Sequence, residues 1–183
     1  MRFDSPGYEL KFIQKQPNNY GDAHLYTLIY KFYSNKTKYN YVLRADYHSE
    51  EVFAIKFYCK KDKRSDFKYS RLVNRNDVGN ILNTCLKVVP KLLHDYPNAS
   101  FGFIGSRILD VKSNKVENYS NTQRFRTYKR LIAEKIGVQT FTHIEYEKIS
   151  GYLLLNKNCP NIELKERAIV KMFADTYNDL LEP

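Results

Sequence analysis

Alternation and helical spacing divide this chain into a run of strands, two helical blocks, and a mixed end. "YELKFIQ" (8–14) alternates weakly and predicts a short strand. "QPNNYGDA" is a loop by its Pro, Asn and Gly content. "HLYTLIYKFYS" (24–34), "YNYVLRADYH" (39–48) and "VFAIKFYCKK" (52–61) are rich in β-branched and aromatic residues. The short polar turns "NKTK" and "SEE" join them, so the three predict an antiparallel meander. In the third, Phe53, Ile55, Phe57 and Cys59 form the more apolar set and should meet the core.

The period then changes. After a polar, basic connection with a strand end at "YSRLV" (69–73), residues 76–97 place Val78, Ile81, Leu82, Cys85, Leu86, Val89, Leu92 and Leu93 at helical intervals. Asn76 or Asp77 can cap that helix. Pro90 should kink or break it, because proline has no N–H and its ring clashes with the preceding turn. "ASFGFIGS" (99–106) predicts a strand whose two glycines leave room for a close approach to the backbone. "RILDVKSNKVENY" is a long polar loop. A helix follows over 120–137, then strands "TFTHIEYEK" and "YLLLNK" joined at "ISG" as a hairpin. Residues 161–181 are amphipathic, with Leu164, Ala168, Ile169, Met172, Phe173, Tyr177 and Leu180 on one face.

These elements predict one α+β domain spanning residues 1–183. Its core covers 24–158, with a C-terminal helix at 161–181. The expected sheet is mixed, mostly antiparallel, with six to seven strands and three main helices. A chain of 183 residues with 43% hydrophobic content supports such a core. No apolar run approaches membrane-spanning length, and "MRFDSPGYELKF" has no apolar signal core, so the expected setting is cytoplasmic with no membrane partner. Cys59, Cys85 and Cys159 lie far apart, as do the four histidines, so no metal site is expected.

Charge sharpens the functional question. The net charge is +10, and it clusters. Lys60, Lys61, Lys63, Arg64, Lys68 and Arg71 face only Asp62 and Asp66 in their stretch. Together with Arg124, Arg126 and Arg130 they are candidate contacts for an anion, RNA or DNA.

The helix at 120–137, "SNTQRFRTYKRLIAEKIG", is the densest stretch. Ser120 or Asn121 can cap it. Phe125, Tyr128, Ile132 and Ile136 share one face, with Arg126, Arg130 and Glu134 opposite and Arg124 and Lys135 on the flank. The bland reading is a helix docked on a sheet with a solvated basic face.

The order of elements, together with "NTQRFRTY", resembles the GNAT N-acetyltransferase-like superfamily in divergent form. That family places one helix between its fourth and fifth strands and another between its fifth and sixth. The second helix often reads N-x-x-A-x-x-x-Y. The resemblance spans residues 24–158 and implies an acyl-CoA cofactor such as acetyl-CoA. It would give Asn121 a contact to the pantetheine arm and make Tyr128 the proton donor to the departing thiolate. A phenol suits that task. The family's fourth and fifth strands splay, and the V-shaped gap admits the cofactor.

Three departures accompany the likeness. The family's pyrophosphate loop, Q/R-x-x-G-x-G/A, meets "RNDVGNIL", where Arg75, Gly79 and Asn80 are the residues left to bind the cofactor. Residues 15–23 are too few for the two helices that usually precede the meander. Arg124 replaces the small residue of the second motif. No general base stands out beyond Glu50, Glu51 and Glu145. "NASFGFIGS" and "NTQRFRTYKRLI" also resemble small bacterial proteins of unknown function.

Two functions therefore stay open. One is an acyl-CoA-dependent N-acyltransferase with an incomplete pyrophosphate loop. The other is a non-catalytic basic module binding nucleic acid or a protein partner of toxin–antitoxin or phage-defence type. A third pattern, Asp46, Glu50, Glu51 and Lys56 in "ADYHSEEVFAIK", is similar to metal-dependent nucleases, but its glutamates fall in a hairpin turn.

Overall fold

A computed structural model describes residues 6–71, 76–107, 109–110 and 115–177. The chain begins with strands β1 (Lys11–Pro17), β2 (His24–Ser34), β3 (Tyr39–His48) and β4 (Val52–Cys59). Helices α1 (Val78–Leu86) and α2 (Val88–Asp95) lead to β5 (Ser100–Ile104). A two-residue ladder, β6 (Leu109–Asp110) with β7 (Lys115–Val116), precedes α3 (Gln123–Lys135). Strands β8 (Phe141–Tyr146) and β9 (Gly151–Asn156) and helix α4 (Ile162–Thr176) complete it. No helix among the described residues is long and apolar enough to cross a membrane.

Seven strands form one sheet in the order β1-β2-β3-β4-β5-β9-β8. Among the described residues, its ladders are antiparallel except at the β4–β5 junction. A parallel pair needs a crossover, and α1 with α2 supplies it. This is the mixed, mostly antiparallel α+β domain expected from the sequence. β2 and β3 also have the expected bounds. The first strand sits three residues later than "YELKFIQ" suggested. Leu10 turns inward, whereas β1 lies wholly exposed on the sheet edge, where Pro17 is tolerated.

Both sheet faces are covered. Phe53, Ile55, Phe101, Phe103 and Leu154 meet α1, α2 and α3 in the larger core. Val52, Leu153 and Leu155 meet Ile169 and Met172 of α4 in a smaller one. The set on β4 expected to face inward does so, and α4 buries part of the opposite set too. Leu164, expected on the buried face of this helix, is 62% exposed, because at 100° per residue it lies about 140° round from Ile169, and the sheet is met by Ile162, Ile169, Met172 and Phe173. Leu180 lies outside the described residues.

Proline breaks the long helix as expected. The turn falls at Lys87, and Pro90 becomes the third residue of α2, where its missing N–H costs nothing. The expected cap at Asn76 or Asp77 needs correction. Asp77 stands at the cap position, yet its side chain makes no capping bond. Its carboxyl oxygens accept from Tyr8 Oη (2.8 Å), Asn80 Nδ2 (2.7 Å) and Ser34 Oγ instead.

A second correction concerns α3. Asn121 has φ of 52°, which turns the chain before the helix starts. Thr122, not Ser120 or Asn121, is therefore the cap. Its Oγ1 accepts from Phe125 N at 3.2 Å and donates to Gly105 O at 2.7 Å. A Cβ on Gly105 would lie 2.6 Å from Phe125 N, so the close approach anticipated near the glycines is made by α3 itself. The strand end expected at 69–73 is absent at Tyr69–Arg71, where Tyr69 and Ser70 form a turn and Arg71 is irregular; Leu72 and Val73 lie outside the described residues.

Candidate functional site at the parting of two strands

Parallel pairing of β4 and β5 runs from Val52 with Ser100 to Ile55 with Phe103 and ends there. β4 continues to Cys59 alongside β3, while β5 turns off toward Gly105. A cavity of about 250 Å³ occupies the fork. Arg124 and Tyr128 reach it from α3 on one face of the sheet, and Ile169, Phe173 and Tyr177 from the opposite face. Gly102 forms part of the floor, where a Cβ would stand 3.3 Å from the Phe173 ring.

Helical period places Tyr128 here. Phe125, Tyr128, Leu131 and Ile132 are all buried against the sheet, and the phenol is the polar member of that row. Burial pushes its pKa up, and the Arg124 charge opposes this in part. The phenol therefore stays protonated at neutral pH.

Arg124 is 9% exposed. Its two terminal nitrogens donate to the carbonyls of Tyr69 and, at 2.8 Å, Arg71. That clamp holds the end of the 60–71 segment over the fork, and Tyr69 joins the lining. Its Nε is buried with no hydrogen-bond partner. Burial lowers the guanidinium pKa.

On the far wall, Lys56 lies 3.2 Å from Asp46 Oδ2 and 3.5 Å from Tyr177 Oη. Asp46 is 3% exposed and also accepts from Thr27 Oγ1 at 2.6 Å. Burial pushes its carboxyl up, but Lys56, Thr27, Arg44 and His24 outweigh this and hold it below its usual value. Behind them His48, fully buried, contacts the Asp46 carbonyl through Nδ1 and Tyr177 Oη through Nε2, both at 2.8 Å. A carbonyl only accepts, so Nδ1 carries the proton and Nε2 offers its lone pair to the Tyr177 hydroxyl. Burial, with the His24 charge second, lowers the His48 pKa to about 4.

Several expected site residues lie elsewhere. Asn121 is exposed at the start of α3 and does not line the cavity. Gly79 and Asn80 do not line it either, and the Asn80 amide is engaged by Asp77. Arg75 lies outside the described residues. Glu50 and Glu51 approach Lys165 at 3.4 and 3.9 Å, and Glu145 pairs with Lys129 at 2.5 Å; none of the three reaches the cavity.

The anion-contact candidates divide. Lys60, Lys61, Lys63 and Arg64 are exposed, as are Arg126 and Arg130. Lys68 lies over the rings of Tyr58 and Tyr69, and Arg71 pairs with Asp62 at 3.1 Å. Arg124 is interior, not part of that surface. The Asp46–His48–Tyr177 chain escaped sequence reasoning. Its faint signal was Lys56, the lone charge inside an apolar strand.

No family model, curated protein or solved structure matches this chain.

Proposed function

We propose that the chain is a divergent GNAT-like protein that binds an acyl-CoA thioester at the β4–β5 fork and transfers the acyl group to an amine. One observation carries this reading: the parallel pair parts after Ile55 and Phe103 around a cavity that contains Tyr128. The acyl carbon would sit between Tyr128 on one wall and Tyr177 on the other. Tyr128 gives its proton to the departing thiolate, and Arg124 beside it favours the developing negative charge. The amine's proton passes to the Tyr177 oxygen as that hydroxyl's own proton moves to His48 Nε2.

The place of Glu50, Glu51 and Glu145 as base is taken in this scheme by His48 acting through Tyr177. Asn121, Gly79 and Asn80 have no part inside the fork. Isothermal titration with acetyl-CoA and coenzyme A is the direct test, paired with thiol release from acetyl-CoA over a panel of primary amines. Tyr128→Phe is expected to lower that release by about 10²-fold. Absent heat together with an unchanged Tyr128→Phe variant removes the reading.

A second reading rests on Lys60, Lys61, Lys63 and Arg64, exposed beside Phe67, which is itself 56% exposed. Cations around an exposed ring can grip a nucleic-acid strand by charge and stacking. Its mark is affinity for mixed RNA or DNA that falls steeply with salt.

A further inference from the structure

The fork cavity is larger than an acetyl group needs. A dry apolar cavity of about 150 Å³ holds a benzene molecule. By proportion, 250 Å³ takes roughly eight to ten carbon atoms. Its walls suit that content: Phe57, Phe103, Tyr152, Ile169, Phe173 and Ala174 present rings and methyl groups.

Charge in the lining is one-sided. Among the described residues, Lys56 and Arg124 line the cavity and no Asp or Glu does. Lys56 is answered by Asp46 immediately behind it. Arg124 donates to two neutral carbonyls, lies 6.0 Å from the centre of the Phe57 ring and feels the Glu117 charge, while its Nε has no hydrogen-bond partner. A buried donor on a buried cation is costly to leave unmet. Arg124 is one of the two cations lining the cavity, so an anionic head group there would be drawn to its guanidinium.

We propose that the cavity is built for a medium-length apolar acyl group of about eight carbons, its carbonyl or carboxylate oxygen at the Arg124 guanidinium and its tail toward Ile169 and Phe173. The same acyl group can arrive as a coenzyme A thioester or as the free acid. The inference deepens the acyltransferase reading and rests on it only for the thioester source.

The test compares probes by titration calorimetry on the full chain: acetyl-CoA, octanoyl-CoA, octanoate and 1-octanol. Each buried methylene is worth about fourfold in affinity. Octanoyl-CoA should therefore bind at least tenfold tighter than acetyl-CoA, a cautious fraction of six added methylenes. Octanoate should bind one to one, and octanol at least tenfold more weakly, because it brings no anion to Arg124. Octanoate and octanoyl-CoA should both show nuclear Overhauser contacts from their tail protons to the Phe173 ring and the Ile169 methyl groups. Ala174→Phe fills the same space from α4 and should abolish octanoate binding.

Acetyl-CoA binding as tightly as octanoyl-CoA overturns this inference and leaves the acyltransferase reading standing. Octanoate binding with no affinity for either thioester does the reverse. Octanol matching octanoate, or tail contacts absent from Ile169 and Phe173, overturns the inference on the unaltered protein, whether or not Ala174→Phe folds.

Discussion

The start of α1 and the fork between β4 and β5 make a telling contrast. Both are places where an anion could be received. At α1 the polar groups are already paired with one another. Asp77, 1% exposed, collects Tyr8, Ser34 and Asn80, and Lys36 Nζ donates to the Asn76 carbonyl at 2.7 Å. Gly7 presses so closely on α1 that a Cβ would lie 2.9 Å from Thr84 N. At the fork the reverse holds: strands part, space remains, and a guanidinium keeps an unpaired N–H. A helix N-terminus is a ready anion site only while its own side chains leave it open. Here the acidic residue at its mouth closes it, and the unfilled space lies in the sheet.

Breaking the closed end should have the largest effect on stability. Asp77→Ala removes an acceptor serving three donors, at about 1.5 kcal/mol for each bond to a charged group, so roughly 4.5 kcal/mol should be lost in urea unfolding. Octanoate binding should be unchanged in the surviving folded fraction. A variant that unfolds normally but loses the ligand would reverse the assignment of the two regions.

The next effect is a pH dependence arising behind the fork. His48 has its folded pKa lowered from 6.5 to about 4. The unfolded chain therefore binds the proton first as pH falls. The stability linked to this group is complete above pH 6.5 and is lost progressively toward pH 4, up to about 3 kcal/mol in order of magnitude. Asp46, lowered from 3.8, contributes its loss only at still lower pH. Urea midpoints for wild type and His48→Gln across pH 4 to 7 separate the two, and the variant should be flat in that window.

Smaller effects sharpen the picture. Thr122→Ala removes the α3 cap and its bond to Gly105, for about 1 kcal/mol in thermal unfolding. That change loosens the mounting of Tyr128 and should weaken octanoate binding by a few-fold. Replacing Lys60, Lys61, Lys63 and Arg64 together by Gln should alter stability by less than about 0.5 kcal/mol, as exposed residues do. A steep loss of polynucleotide binding in that variant, with octanoate binding intact, would establish the basic face as a separate function.

Local periodicity made much of this molecule legible. β2 and β3 follow from alternation, the break near Pro90 from proline chemistry, and the burial of Phe125, Tyr128 and Ile132 from helical spacing. What stayed hidden depends on contacts between distant residues. His48 and Tyr177 are 129 positions apart, so no window of sequence joins them. Arg124 looked like one more surface cation because its partners, the carbonyls of Tyr69 and Arg71, carry no side-chain signature. Asp77 looked like a cap because the pull of Ser34 and Tyr8 comes from other elements. Leu164 looked buried because spacing draws the apolar face too wide: Ile162, Ile169, Met172 and Phe173 set a direction that leaves it in solvent.

The far wall of the fork comes from α4, residues 162–176, and the adjoining Tyr177. Synthesis delivers these after every other part of the sheet. At about 5–20 residues per second, the earlier strands have seconds in which to pair before that wall emerges. During that interval Val52, Leu153 and Leu155 have no cover, and the groove beside Gly102 stands open. The fork therefore gains its far wall only after every strand of the sheet has been made.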